Sequence, residues 1–391
     1  MRVKEIGMEY SDYVIAMRRK FHRCPEPSLE EYETCRMICE ELTAMGLEPR
    51  VVHGTGVTAD IGRPAGEGRT VLLRADIDAL RVAEDTGEAF SSENPGLMHA
   101  CGHDAHIAMN LTAAKILAGM QDQLNGCVRV IFEPSEENAK GSVGMIAAGV
   151  MDHVDTVYGM HVWSNVESGK FGVSGGPVMA SADFFTITVK GKAVHGSEPQ
   201  NGVDPIAAAA AIINELYVAF VREYPAKEQV VLSFCQIAGG NTDNAIPETV
   251  TIGGTTRAFS REIRATYPET MERVIRHTAE ALRAEAELDY HWGSAPVIND
   301  DAAAECARKA IARNFGAEAV IPFEPIMGGD DFAEYESMRP GVYVFLGVRN
   351  EAIGANWPQH SNHYRMDESA LIKGAVSAVQ YALDYISGED A

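Results

Sequence analysis

VLLRADID, residues 71–78, reads as a buried strand that ends in two carboxylates, Asp76 and Asp78. Two further runs share this design. CVRVIFEP (127–134) is an apolar strand followed at once by Glu136 and Glu137, and TVYGMHVW (156–163) is a third that delivers His161. Helical stretches separate the strands. Residues 9–23 and 28–46 are amphipathic, another helix starts near Asp104 and runs to Gly119, and GSVGMIAAGVM follows the second strand. Apolar strands alternating with helices predict a mostly parallel sheet covered on both faces. Ligands bind such a sheet beyond the carboxyl ends of its strands, which is where these polar groups stand.

The pattern changes near residue 180. FFTITVKG (184–191) alternates like a half-buried strand, and Asp204 with Pro205 opens a helix. QVVLSFCQIAG and TVTIGGTTRAF read as antiparallel strands, 261–287 as a long helix and ELDYHW as a closing strand. The order β-α-β-β-α-β is the ferredoxin-like split arrangement. After Pro296 the first pattern resumes with GVYVFLG (341–347) and a last helix near Asp367. The expected class is α/β, with an α+β domain (181–294) inserted between two parts of a larger domain (1–180 and 295–391).

The 391 residues are 46% hydrophobic and 23% charged, enough for a sizeable core in two domains. A formal net charge of −23 repels phosphate backbones and anionic lipid, so neither nucleic acid nor a membrane is an expected partner. No apolar run reads as long enough to span a bilayer. The seven cysteines are odd in number and scattered, which fits reduced thiols and a cytoplasmic location. Cys24, Cys35, Cys39, Cys127, Cys235 and Cys306 read as small buried hydrophobes.

MHACGHDAH (98–106) places His99, Cys101, His103 and His106 within nine residues. Thiolate with imidazole favours zinc or a neighbouring first-row metal over magnesium or calcium. No second Cys/His pair stands at finger spacing, so any site is completed from far along the chain. Glu136 and Glu137 read equally as a solvated acidic turn or as a division of labour, one binding metal and the other moving a proton. His161 taken alone reads as a core histidine, and His360 and His363 as loop histidines. Asp104 reads as the N-cap of the helix that follows. His195, in GKAVHGSEP, precedes a turn. Taken alone, Arg257 reads as a strand-face arginine paired with an acid, and the glycines of MGGDDF (327–332) as an ordinary turn.

Eight ordered blocks together resemble the metal-dependent amidohydrolases that cleave N-acyl-amino acids, a family that includes hippurate hydrolases, bacterial aminoacylases and plant indole-acetyl-amino-acid hydrolases. The blocks are RADIDAL (74–80), GLMHACGHDAH (96–106), EPSEE (133–137), YGMHVW (158–163), GKAVHGSEPQNGVDPI (191–206), NAIPETVTIGGTTR (244–257), MGGDDF (327–332) and HSNHYRMDE (360–368). The resemblance implies a metallopeptidase-like catalytic domain, an inserted lid or dimerisation domain, and a homodimer or higher homo-oligomer formed through that insert. It implies two divalent ions per subunit (Zn, Mn, Co or Ni) held by Cys101, His103, Glu137, His161 and His360. Glu136 aligns with the general base and acid acting on metal-activated water, and Asp76 with an aspartate that orients a ligand. His195 aligns with a histidine that stabilises the oxyanion, often across a dimer. Asn244, Arg257 and Gly329 align with substrate contacts, and a guanidinium suits a carboxylate because it pairs bidentately.

The implied reaction is hydrolysis of an N-acyl-amino acid to a carboxylic acid and a free amino acid. A dipeptidase or carboxypeptidase of the same clan, and a non-catalytic small-molecule-binding relative, are the alternatives. The chain departs from the pattern at several places. Arg74 stands where the clan has histidine, and EPSEE has glutamate where glutamine is usual. HGSEPQNG replaces a His-Ala-Ala-x-Pro-His stretch, and Asn362 and His363 stand where proline and an aromatic are common.

Overall fold

The computed structural model describes residues 3–388, which divide into two compact units. The first comprises residues up to Val178, Ile298–Glu324 and those from Asp331 onward; the second comprises Met179–Val297 and Pro325–Asp330.

The first unit is built on an eight-stranded sheet. Its strand order is Arg50–Val52, Gly56–Gly62, Cys127–Glu133, Thr70–Asp76, Thr156–Glu167, Gly341–Arg349, Phe171–Gly172 and Val320–Ile321. The four central strands pair in parallel, and antiparallel pairing is confined to the flanks. The strands Thr70–Asp76 and Cys127–Glu133 are largely apolar and buried at every position, and their two arginines, Arg74 and Arg129, are paired with Glu133 and Asp60. Helices Ser11–Arg23, Tyr32–Ala44, His103–Ala118, Asp301–Phe315 and Leu371–Ser387 pack into one core with Val71, Leu73, Val128, Val130, Val342 and Val344, the alternate residues of one sheet face.

The second unit has a four-stranded antiparallel sheet in the order Val230–Gly239, Thr249–Ala258, Ala182–Lys190, Glu285–Ser294. Helices Pro205–Glu223 and Arg261–Ala281 share its core. This is the ferredoxin-like split arrangement. Asp204 caps the first helix by accepting from the Ile206 and Ala207 amides.

Several readings are corrected. The second helix stops at Ala281 rather than reaching 287, and Arg283 with φ 64° turns the chain into the last strand. Cys235 is exposed on the outermost strand, not buried. By length and composition, helix Pro205–Glu223 is long and apolar enough to cross a membrane. Its Ala208, Ala209, Ile212, Leu216 and Phe220 pack into the core of the second unit, the one-sided burial of a core helix. Asp104 is not an N-cap. Gly102 (φ 99°) precedes the helix, and any side chain there would meet Val162 Cγ2 at 2.5 Å.

Candidate metal centre

The carboxyl ends of the central strands and the segments that follow them bring one cluster together. Cys101 Sγ lies 3.4 Å from His161 Nε2 and 3.3 Å from His360 Nε2. His360 Nε2 is 3.6 Å from Glu137 Oε1, and His103 Nε2 is 3.9 Å from both Glu137 Oε1 and Glu136 Oε2. Cys101, His103 and His161 form one group of donor atoms within 4.8 Å of one another, and Cys101, Glu137 and His360 form a second. The thiol is common to both groups.

Backbone and neighbouring groups fix the ring orientations. His103 Nδ1 meets the Asp78 carbonyl at 2.9 Å, and His161 Nδ1 meets the Val162 carbonyl at 2.6 Å. Each Nδ1 therefore carries a proton, and each Nε2 faces the cluster. His360 has φ 65°, a left-handed conformation rare for a residue with a side chain, and its amide donates to the Ala100 carbonyl. Glu136 and Glu137 follow Ser135, itself left-handed at φ 61°, in a short turn after strand Cys127–Glu133. The Asp78 carboxylate accepts both their amides at 3.2 Å, and the Ser28 hydroxyl donates to it at 2.7 Å.

Asp76 has a different task from Asp78. Its Oδ1 meets His106 Nδ1 at 2.5 Å, and His106 Nε2 accepts the Val162 amide at 2.9 Å. Asp76 Oδ2 accepts from Arg74 Nη1 at 2.7 Å and lies 3.8 Å from His103 Nε2. Arg74 also donates to Glu133 at 2.6 Å and to Asp331 at 3.0 Å. Two departures from the family pattern are thereby linked, since Arg74 and Glu133 pair with each other. Burial alone would raise the Asp76 carboxyl, but His103, His106 and Arg74 hold it well below the usual range.

The donor set fits a divalent cation. His103 Nε2 and Glu137 Oε1 are buried without a hydrogen-bond partner among the described residues. Burial, reinforced by Glu137 and Glu136, keeps the Cys101 thiol far above its ordinary pKa, so a thiolate here requires a cation beside it. Burial pushes Glu137 up to about 7. Burial would lower His103, but Asp76 and Asp78 raise it to about 10. Burial and His106 hold His161 well below its ordinary value, leaving a neutral imidazole. The cluster is acid-rich, with one sulfur, three nitrogen and one carboxylate donors, a set suited to zinc and its neighbours.

A buried network that the sequence gives no sign of lies behind the segment 98–106. Asp104 Oδ2 is 2.8 Å from Arg18 Nε and 2.7 Å from His22 Nδ1, and His22 Nε2 is 3.2 Å from Glu84. With both ring nitrogens facing carboxylates, His22 is an imidazolium; burial and Arg18 pull its pKa down, and Asp104 and Glu84 outweigh them. His99 is buried, and that burial lowers it to about 3. His99 and His106 are thus neighbours of the donor groups, and neither belongs to the two groups that share Cys101.

The other singled-out residues lie in the second unit. His195 and Asn244 are adjacent through the two-stranded ribbon of Val194–His195 with Ala245–Ile246, and the Gly196 amide donates to the Asn244 carbonyl at 2.7 Å. Both side chains are exposed. Arg257 is on strand Thr249–Ala258, away from that ribbon, with Nη1 buried and unpartnered among the described residues. A side chain at Gly329 would meet Ser294 Oγ at 2.7 Å.

A family model described as Peptidase family M20/M25/M40 matches residues 72–384. Thermostable carboxypeptidase 2 of Saccharolobus solfataricus is 36% identical over 98% of this chain and 98% of its own length. N-acetyl-L-cysteine deacetylase of Bacillus subtilis is 37% identical over 93% of this chain and 85% of its own. Among solved structures, a Bacillus subtilis protein described as a dinuclear metal binding peptidase from the M20 family superposes with a TM-score of 0.85 at 34% identity, covering 97% of this chain and 99% of the other.

Proposed function

This chain belongs to peptidase family M20/M25/M40, and from that premise we propose that it hydrolyses the amide bond of N-acyl-amino acids, releasing a carboxylic acid and a free amino acid. One observation carries the reading: the Cys101 thiol stands between two donor groups, 3.4 Å from His161 Nε2 and 3.3 Å from His360 Nε2. Cys101, His103 and His161 would hold one divalent ion, and Cys101, Glu137 and His360 a second. Zinc is the first expectation, with manganese, cobalt and nickel as alternatives. Two such ions would supply Lewis acidity, polarising an amide carbonyl and lowering the pKa of water toward about 7.

The chain's own groups do the rest. Glu136 takes a proton from the attacking water and returns it to the leaving nitrogen. Asp78 holds the Glu136 and Glu137 amides and the His103 carbonyl contact together, and Asp76 orients His106. In the second unit, Arg257 offers a buried guanidinium nitrogen for the substrate carboxylate, and His195, Asn244 and Gly329 are its other proposed substrate contacts. His195 would stabilise the oxyanion through Nε2–H, because Nδ1 accepts from Ser197.

The proposed partner is a second copy of the chain. The strand Val230–Gly239 is an edge of its sheet among the described residues, and Ile237 on it is exposed, as are Tyr217, Val218 and Val221 on helix Pro205–Glu223. The seven free cysteines support a cytoplasmic location. The Saccharolobus relative favours a second reading, a carboxypeptidase, and a dipeptidase is the other peptide-cleaving alternative. Rates of the zinc-reconstituted protein on hippurate, N-acetyl-amino acids and dipeptides separate the readings. The first expects the highest kcat/KM on the N-acyl substrates. Cleavage of dipeptides alone would replace it with the second, and no hydrolysis across the panel would leave a non-catalytic relative.

A further inference from the structure

Glu31 belongs to the segment before helix Tyr32–Ala44, upstream of the region matched by the family. An acid at a helix start ordinarily turns back to cap its own helix. Glu31 does not cap, and its side chain is fully buried. Its Oε1 accepts the amides of Leu29 and Ser135, both at 2.9 Å, and its Oε2 accepts the Thr55 hydroxyl at 2.6 Å. Among the described residues it has no cationic partner. A buried carboxylate without a cation is unfavourable unless several donors satisfy it, so a defined place for it implies a positional task.

The contact with Ser135 supplies that task. Ser135 is left-handed, Ala139 closes the same turn in the left-handed region, and the Lys140 amide donates back to the Ser135 carbonyl at 3.2 Å. Neither residue is glycine, so the turn is held from outside. Three consecutive amides at 135, 136 and 137 point into two buried carboxylates, Glu31 for the first and Asp78 for the next two. Asp78 fixes the middle of the turn, and Glu31 fixes its entry.

We infer that Glu31 is a positioning residue for the Glu136–Glu137 pair, acting through the Ser135 amide; this rests on the roles given above to those two glutamates. It touches neither substrate nor donor cluster. What the Ser135 amide requires is an acceptor oxygen, not a charge. Glu31→Gln keeps that acceptor, Glu31→Ala removes it, and Thr55→Val removes only the donor to Oε2.

Two measurements on the full chain test the inference. In amide hydrogen exchange, Glu31→Ala speeds exchange over residues 135–138 by about tenfold or more while strand Cys127–Glu133 stays protected. Glu31→Gln and Thr55→Val leave the turn near wild type. In kinetics on an N-acetyl-amino acid, Glu31→Ala lowers kcat by about 10- to 100-fold with KM and zinc content unchanged, and Glu31→Gln restores it. If Glu31→Ala does not fold, Glu31→Asp, whose carboxylate is too short to reach Ser135, takes its place with the same expectations. Unchanged exchange at 135–138, or equal losses in Thr55→Val, overturns the inference. The exchange result stands even if the wild-type chain hydrolyses none of the substrates, an outcome that would sink the proposed activity separately.

Discussion

Replacing Arg74 with methionine keeps the apolar stem and deletes one guanidinium that three buried carboxylates share. Its donors reach Glu133 at 2.6 Å, Asp76 at 2.7 Å and Asp331 at 3.0 Å, and all four side chains are at most 1% exposed. A hydrogen bond to a charged group contributes about 1.5–3 kcal/mol, so three taken separately would sum to about 5–9 kcal/mol. The three share one cation, and the acids left behind escape part of the cost by taking up protons. Removing one partner of a buried pair costs about 3–5 kcal/mol, which is the expected loss for the first unit near pH 7.5. At about 2–4 °C per kcal/mol for a domain of this size, Tm should fall by at least about 6 °C. The pH dependence follows from the sign of the new shifts. Without Arg74 the buried Glu133 and Asp331 lose the cation that favours their charged forms and take up protons more readily than in wild type, whereas His103 and His106 still hold Asp76 low, so the variant's deficit shrinks as pH falls. The gap to wild type therefore narrows toward about pH 5. Scanning calorimetry of both proteins at the two pH values reads this directly. A loss below about 1 kcal/mol at pH 7.5, or a gap that widens in acid, would refute the shared-cation account.

Glu136→Gln should keep full zinc by elemental analysis and lower kcat by roughly 10²–10⁴-fold, the range for a positioned acid–base group; near-normal turnover would defeat its assignment. Cys101→Ala removes the donor common to both groups, and its zinc content should fall well below that of wild type. Asp104→Ala discriminates two accounts of that residue: a cap would cost about 1 kcal/mol, whereas loss of the partner of Arg18 and His22 should cost about 3–5 kcal/mol, as read by urea midpoints. Burial raises the Glu31 carboxyl, so its ionisation opposes folding as pH rises from the unfolded value of about 4.3 toward the folded one. Glu31→Gln should accordingly gain stability relative to wild type as pH rises above about 4.3, and a pH-independent difference in urea midpoints would contradict this.

The four central strands were legible because each is a largely apolar run closed by polar groups, as in VLLRADID, and the insert because FFTITVKG switches to strict alternation; the four flanking strands of the larger sheet were not read. Cys101, His103, Glu137, His161 and His360 were legible by residue type and resemblance, and the structure does bring these five together. Asp104 misled because an aspartate at a helix start is most often a cap; its partners Arg18 and His22 sit more than eighty residues upstream, where they look like the polar face of an amphipathic helix. Asp78 and Asp76 differ in task for a similar reason. Two acids at one strand's end are alike in sequence, and only the third dimension shows which carboxylate faces the Glu136 amide and which faces His106. Arg74 read as a gap in a motif, whereas its meaning depends on Asp331, far along the chain.

The position of the Gly341–Arg349 strand has a consequence for biosynthesis. It lies between Thr156–Glu167 and Phe171–Gly172 in the sheet, yet it is the last strand of the chain to be made. All four strands of the ferredoxin-like sheet emerge from the ribosome before it. The inserted unit can finish folding while the larger sheet still waits, its Thr156–Glu167 edge open, for roughly ten to thirty seconds at about 5–20 residues per second. That edge carries His161, so the segment that supplies a donor to the cluster is also the one most exposed to mispairing in the nascent chain.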